Sequence, residues 1–139
     1  MSTIHVDIVS AEASIYSGAA TMVFAPAEQG EVGIAPRHAP LVTRLKPGEI
    51  RITTDDGEKL EFFVSGGILE VQPNLVTVLA DTALRAHDID EAEALKAKQH
   101  AEEALESAET EMDIALAQAE VAELAARLKF VRNIKKRGG

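Results

Sequence analysis

The chain of 139 residues contains no cysteine and no tryptophan, and only one tyrosine and four phenylalanines. Without cysteine there is no disulfide, no thiolate nucleophile and no zinc site with sulfur ligands. A core with so little aromatic bulk has to rest on Val, Ile, Leu and Ala. No apolar run approaches the ~20 residues that a membrane-spanning helix requires. The opening residues, MSTIHVDIVSAEAS, have no basic start and no long apolar stretch, so they do not read as a signal peptide. They carry no arginine either, so they do not read as an organelle transit peptide. The expectation is a soluble chain that meets a membrane only through a partner. GxxxxGK[ST], GxGxxG and GxSxG are also missing, which removes the common phosphate cradles and the nucleophile elbow.

The net charge of −9 disfavours nucleic acid or anionic lipid as the main partner. The charge is unevenly spread. Asp88 to Glu111 holds nine acidic residues and two lysines, whereas Arg127 to Arg137 holds six basic residues and no acidic one. Two readings fit: an end that docks on something acidic, or a helix whose last turn suits its dipole.

Two periods divide the chain. Ile4, Val6 and Ile8 alternate with His5 and Asp7, and Met22 and Phe24 alternate with Thr21 and Val23. Leu41, Thr43 and Leu45 precede Pro47-Gly48, and Ile50 and Ile52 lead into the turn Asp55-Asp56-Gly57. Leu60, Phe62 and Val64 follow, then Ser65-Gly66-Gly67, Ile68 to Val71, Pro73-Asn74 and Leu75 to Ala80. Alternation, β-branched residues and regular turn signals predict an all-β sandwich or barrel over residues 3–80. Phe62-Phe63-Val64 is apolar on both faces, as in a strand covered on both sides or one that keeps a face for a partner. Gly30-Glu31-Val32-Gly33 reads as a turn, and Ser65-Gly66-Gly67 as a sharp bend or bulge.

Beyond residue 86, Gly and Pro are absent until Gly138, and Ala and Glu dominate. Both favour helix. Asp88 or Asp90 can cap a first helix. Ala94, Ala97, Ala101, Ala104 and Ala108 recur at helical spacing, and Ile114, Ala117, Val121, Leu124, Leu128 and Val131 form a second stripe. The spacing predicts two helices of about 20 residues each, broken near Ser107 to Thr110 with Thr110 as a cap. One long helix is the alternative, because no Gly or Pro marks the break.

The chemistry-bearing residues are sparse. No pair among His5, His38, His87 and His100 has metal-binding spacing. His100 and Glu103 share a helical face, but no second ExxH accompanies them. Asp55-Asp56 read as turn formers. No nucleophile, base and orienting group come together, so the chain is not expected to be an enzyme and calls for no metal.

Three stretches then carry a resemblance: GEVGIAPRHAPLVT (30–43), PGEIRI (47–52) and VSGGILEVQPNLVTVLADTA (64–83), followed by DIDEAEAL. In order and spacing they are similar to the epsilon subunit family of bacterial F-type ATP synthases. The resemblance implies a mixed fold: a flattened β-sandwich of about ten strands over residues 1–86, then an antiparallel two-helix hairpin over 87–139. It implies a rotor subunit of the central stalk without chemistry of its own, coupling c-ring rotation to the catalytic head. Its expected partners are the gamma subunit, the c-ring and the alpha and beta subunits, at the cytoplasmic face of the bacterial plasma membrane.

Gly30, Glu31 and Gly33 look like the family's c-ring contact, because a carboxylate on a Gly-flanked segment suits basic polar loops. Arg37 and His38 are expected to meet gamma or the ring, with a structural role for His38 as the alternative. The resemblance also implies that the helices inhibit ATP hydrolysis, with Arg127, Lys129, Arg132, Lys135 and Lys136 meeting an acidic segment of the beta subunit. Some members bind ATP through Ile/Leu-Asp-x-x-Arg-Ala. Here Ile89-Asp90-Glu91-Ala92-Glu93-Ala94 places Glu93 where the arginine would stand, and a carboxylate repels phosphate. Glu123 stands one turn before Arg127, the other candidate cation. Weak or absent ATP binding is therefore expected, and no cofactor. The competing reading is a free-standing β-sandwich adaptor with a helical dimerisation arm.

Overall fold

The computed structural model describes residues 2–137; Gly138, where the helix-favouring composition ends, lies outside them. The chain divides into two units between Arg85 and Ala86.

The first unit is a β-sandwich of nine strands. In chain order they are β1 (Ile4–Ser10), β2 (Ser14–Ala27), β3 (Gly30–Ile34), β4 (Leu41–Leu45), β5 (Gly48–Thr54), β6 (Lys59–Val64), β7 (Gly67–Gln72), β8 (Leu75–Ala80) and β9 (Ala83–Arg85). The hydrogen-bonded order is β1-β8-β7-β4-β2-β5-β6-β9, with β3 on β2. β2 also pairs with β1 along its first half, while its second half pairs with β5 and β3. All pairings are antiparallel except that of β1 with β8.

Alternation sorts the side chains. Ile4, Val6, Ile8, Ile50, Ile52, Phe62, Val64, Leu69, Val71, Val76 and Val78 enter one core, and His5 and Asp7 point outward. Fully burying a side chain of this size contributes roughly 1.5–3 kcal/mol, so this aliphatic set can hold the unit with few aromatics. On β2 the inward residues are Val23 and Ala25, which leaves Phe24 on the outer face. Phe63, opposite in parity to Phe62, is equally buried.

Two expectations change. Residues 30–34 form a strand, not a turn: the reversal is Glu28-Gln29, and Gly30 already pairs with Ala27. Glycine-rich strands carry little β signal in sequence, and only the partner strand reveals them. The short β9, held on β6, gave no periodicity to read because it spans three residues.

Ser65-Gly66-Gly67 is the sharp bend expected. Gly67 sits at φ +139, and a Cβ there would collide with the carbonyl oxygen of Leu79 on the adjacent strand.

The second unit holds α1 (Glu91–Ser107) and α2 (Glu111–Arg137). Asp90 caps α1 by accepting from the N–H groups of Ala92 and Glu93. Thr110 caps α2 through its hydroxyl, which accepts from the N–H of Asp113 at 3.1 Å. Two competing caps in Ala108–Thr110 end one helix and start the next without Gly or Pro. The helices are unequal, 17 and 27 residues, rather than about twenty each.

On α1 the buried positions are Ala94 and Ala101, with Leu105 and Ala108 half-buried, whereas Ala97 and Ala104 are exposed. At about 100° per residue, positions 97 and 104 rotate off the face that 94, 101, 105 and 108 share. On α2 the stripe is buried at Leu124, Leu128 and Val131 and half-buried at Ile114, Ala117 and Val121.

The helices run antiparallel, and an ion cluster joins their far ends. The two oxygens of Glu91 accept from Arg132 Nε at 3.1 Å and from Lys135 Nζ at 2.7 Å. The hydrogen bond from Lys135, and then that from Arg132, holds the Glu91 carboxyl below its ordinary value of 4.5.

Gly67→Ala is expected to destabilise the chain by at least about 2 kcal/mol in urea unfolding, because both the backbone region and the space exclude a side chain. A carboxyl lowered by folding stabilises the folded form above its unfolded value and loses that contribution as pH falls through its folded value. The thermal stability of the helical unit should therefore exceed that of Glu91→Gln above about pH 4.5. The two should converge on acidification below that pH, as followed by circular dichroism.

Candidate functional site

The outer face of the sandwich carries a built arrangement around Glu31. Phe24 pairs with Gly33 of β3 on one side and with Arg51 of β5 on the other. The Arg51 guanidinium lies over the Phe24 ring, 4.7 Å from its centroid, and donates to Glu31 Oε1 at 2.8 Å. A Cβ on Gly33 would approach the Phe24 ring at 3.1 Å and the end of the Met22 side chain at 2.9 Å. Glycine at 33 thus leaves the ring room to lie flat. The ring holds the cation, and the cation holds the carboxylate.

Glu31 keeps about half its side-chain surface in solvent, 53%, so it remains open to a second partner. It also borders a shallow depression lined by Ala27, Gln29, Gly30, Val32, Leu41 and Thr43. Gly30, Glu31 and Gly33 are therefore brought together on one short strand, joined by two residues that sequence reasoning missed, Phe24 and Arg51. The signal was present: Arg51 stands between the inward Ile50 and Ile52, which puts it on the outer face.

Arg37 and His38 lie further along, in a turn. Pro36 and Arg37 occupy its two central positions, and the His38 N–H donates to the Ala35 carbonyl at 3.2 Å. Arg37 takes φ +64, the left-handed conformation that the third residue of a type II turn requires. Its N–H donates to Pro73 O at 2.8 Å, and its guanidinium donates to Ser2 Oγ at 3.3 Å. His38 donates from Nδ1 to the Ala39 carbonyl at 2.7 Å. Both residues thus shape the loop they sit on, and the Arg37 side chain remains exposed.

Among the described residues, His5, Asp7 and Ser17 form a grouping whose residue types suggest nucleophilic chemistry. Ser17 gives its proton to Asp7 at 2.7 Å, and His5 lies 2.9 Å from the same Asp7 oxygen. The hydrogen bond from Ser17 is the largest influence holding the Asp7 carboxyl below its ordinary value. His5 Nε2 also lies 3.0 Å from Ser17 Oγ, but Asp7 meets that same nitrogen and takes the serine's proton, so the serine–base–orienter relay, in which the carboxylate holds the other imidazole nitrogen, is not built. Among the described residues no group of three His, Asp or Glu is arranged to hold a metal.

In the helical unit the five expected cations do not share one face. At about 100° per residue, Lys129, Arg132 and Lys136 fall within a narrow sector, Lys135 flanks it, and Arg127 lies on the far side. Arg127 is largely covered and pairs with Glu123 at 3.4 Å. Arg132 and Lys135 are drawn to Glu91. Glu91 is a further residue that sequence reasoning missed; once the hairpin is antiparallel, its first-turn carboxylate falls opposite the last cations of α2.

The degenerate nucleotide motif is occupied locally. The Asp90 carboxylate is spent on the cap, Glu93 is exposed, Ala94 is buried and Ile89 is half-buried.

Comparison with known proteins agrees with this architecture. The family model described as the β-sandwich domain of the ATP synthase delta/epsilon chain matches residues 3–86, and that of its long α-helix domain matches residues 87–132. A protein of Nitrosococcus oceani named ATP synthase epsilon chain is 64% identical over 99% of this chain and 98% of its own length. One of the same name from Halorhodospira halophila is 60% identical, with the same coverage. Among solved structures, a chain of the Euglena gracilis mitochondrial ATP synthase superposes with a TM-score of 0.74 at 18% identity, covering 100% of this chain and 83% of that one. A chain of the Tetrahymena thermophila mitochondrial ATP synthase gives 0.65 at 14%, covering 94% and 97%. These two likenesses concern the fold alone. With both units matched and relatives this similar over nearly the whole length, the chain belongs to the ATP synthase epsilon chain family, whose members are non-catalytic subunits of that complex.

Proposed function

We propose that the chain is a central-stalk rotor subunit of a proton-translocating F-type ATP synthase, coupling c-ring rotation to the catalytic head and restraining ATP hydrolysis through α1 and α2. The observation that carries this reading is the 64% identity, over 99% of the chain, to a relative named ATP synthase epsilon chain. The two structural neighbours come from an OSCP/F1/c-ring assembly and a central stalk/c-ring assembly, which supports the same reading.

In this reading residues 1–86 bind the rotor and residues 87–139 regulate. Glu31, presented by Arg51 and flanked by Gly30 and Gly33, meets basic side chains on the polar loops of the c-ring. Arg37, exposed on its turn, faces gamma or the ring beside His38. Lys129, Arg132, Lys135 and Lys136 meet an acidic segment of the beta subunit, an attraction that weakens with salt. Arg127, turned away and paired with Glu123, takes a smaller share. The complex holds the chain peripherally at the cytoplasmic face of the bacterial plasma membrane, and no described helix is long and apolar enough to cross it.

ATP binds weakly or not at all. Asp90 is engaged in the cap, Glu93 puts a negative charge where phosphate would sit, and Glu123 offsets Arg127.

The catalytic head, stripped of its own epsilon subunit, provides the test. The full chain should bind it and slow ATP hydrolysis, and a chain ending at His87 should bind without slowing it. In the whole complex, Glu31→Lys should leave head binding intact and lower proton-driven ATP synthesis by about tenfold through like-charge contact with the ring. Failure of both the full and the shortened chain to bind would exclude the rotor role. Titration calorimetry of the full chain with ATP should show no saturable heat up to about 1 mM; a dissociation constant in the micromolar range would contradict the reading of the motif.

A further inference from the structure

We propose that Glu91 is an internal competitor for the acidic partner of α2: in the closed hairpin it occupies Arg132 and Lys135, so that closing the hairpin and docking on the catalytic head draw on the same cations. The proposal rests on the docking role given above to those residues, and it adds the group that opposes docking.

One carboxylate serves both cations. Oε1 of Glu91 accepts from Arg132 Nε and Oε2 from Lys135 Nζ, across 41 and 44 residues of sequence. Both oxygens are used, so no third cation is needed to satisfy Glu91. Lys129 and Lys136, in the same sector of α2, make no ion pair among the described residues. The clasp therefore divides the cations into a pair that is occupied and a pair that is open.

The seam beneath it is thin. The buried α1 side chain nearest Glu91 is Ala94, and the next is Ala101. A methyl buries little apolar area, so α1 brings little to this end beside the buried Leu128 and Val131 of α2, and the polar contact adds to what they supply. A partner segment rich in carboxylates offers Arg132 and Lys135 the same chemistry that Glu91 does. Exchange between them trades one carboxylate for another, so a change in either shifts the population.

Glu91→Gln in the full chain, assembled with a catalytic head lacking its own epsilon subunit, is expected to lower ATP hydrolysis roughly two- to five-fold below the unaltered chain, a change of the size an exposed ion pair allows. Glu93→Gln removes a carboxylate from the same helix turn, with a comparable dipole change, and is expected to shift hydrolysis far less. In the isolated full chain, hydrogen exchange at the first-turn amides of α1 should quicken in the first variant more than in the second. Hydrolysis that stays level or rises with Glu91→Gln overturns the proposal, as does an equal effect of the two substitutions. The double variant Lys129→Glu/Lys136→Glu, which spares the clasp, separates the two levels. If it relieves inhibition while Glu91→Gln changes nothing, docking stands and the competition is wrong. If neither changes inhibition, the docking role fails and the proposal fails with it.

Discussion

The pairing of β2 is the constraint on which the first unit depends. Its 14 residues are too many for one partner, and they are shared: β1 takes Ser14–Ala20, and β5 and β3 flank the stretch from Ala20 to Ala27. At about 3.3 Å per residue the strand spans roughly 46 Å, long enough to join both faces of a sandwich. Every later placement follows from that seam. Once Val23 and Ala25 point inward, Phe24 must point outward, between Gly33 and Arg51.

The candidate ring contact grows from the outer side of the same strand. Glu31 alone would be a solvated carboxylate on a small strand. Stacked against Phe24, Arg51 turns it into a charge held in place. Exposed ion pairs add little to stability, commonly below about 1 kcal/mol, so this pair is better understood as fixing direction than as holding the fold. A carboxylate already held loses less freedom on docking.

The helical unit is governed by a different balance. Its two caps specify where each helix ends, and its seam of alanines against aliphatics brings the helices close with modest gain. To the burial of Leu124, Leu128 and Val131 the hairpin adds a charge contact at its open end, where Glu91 faces Arg132 and Lys135. Charge responds to ionic strength and to competing partners in a way that buried apolar area does not. The hairpin is thus held in part by a contact that solution conditions can shift, whereas the sandwich is held by buried apolar area.

The sequence by itself determined the two periods and the inward sets on β1, β5 and β6; it placed a helix break at Ser107 to Thr110 with Thr110 as a cap, beside the alternative of one long helix, and narrowed the first cap to Asp88 or Asp90. Those features are local: alternation, spacing and turn chemistry act over a few residues and are written in consecutive positions. Family membership was legible for the same reason, because the stretches at 30–43, 47–52 and 64–83 keep their order and spacing. Only the tertiary structure decided that residues 30–34 are a strand, since glycine carries no β preference until a partner strand supplies the hydrogen bonds. It alone decided that Arg51 reaches Glu31 across β2, and that Arg127 departs from the other cations while Glu91 captures two of them. These contacts join residues from 20 to 44 positions apart. Their partners are set by strand register and by the antiparallel turn of the hairpin, and neither is encoded at the positions that meet.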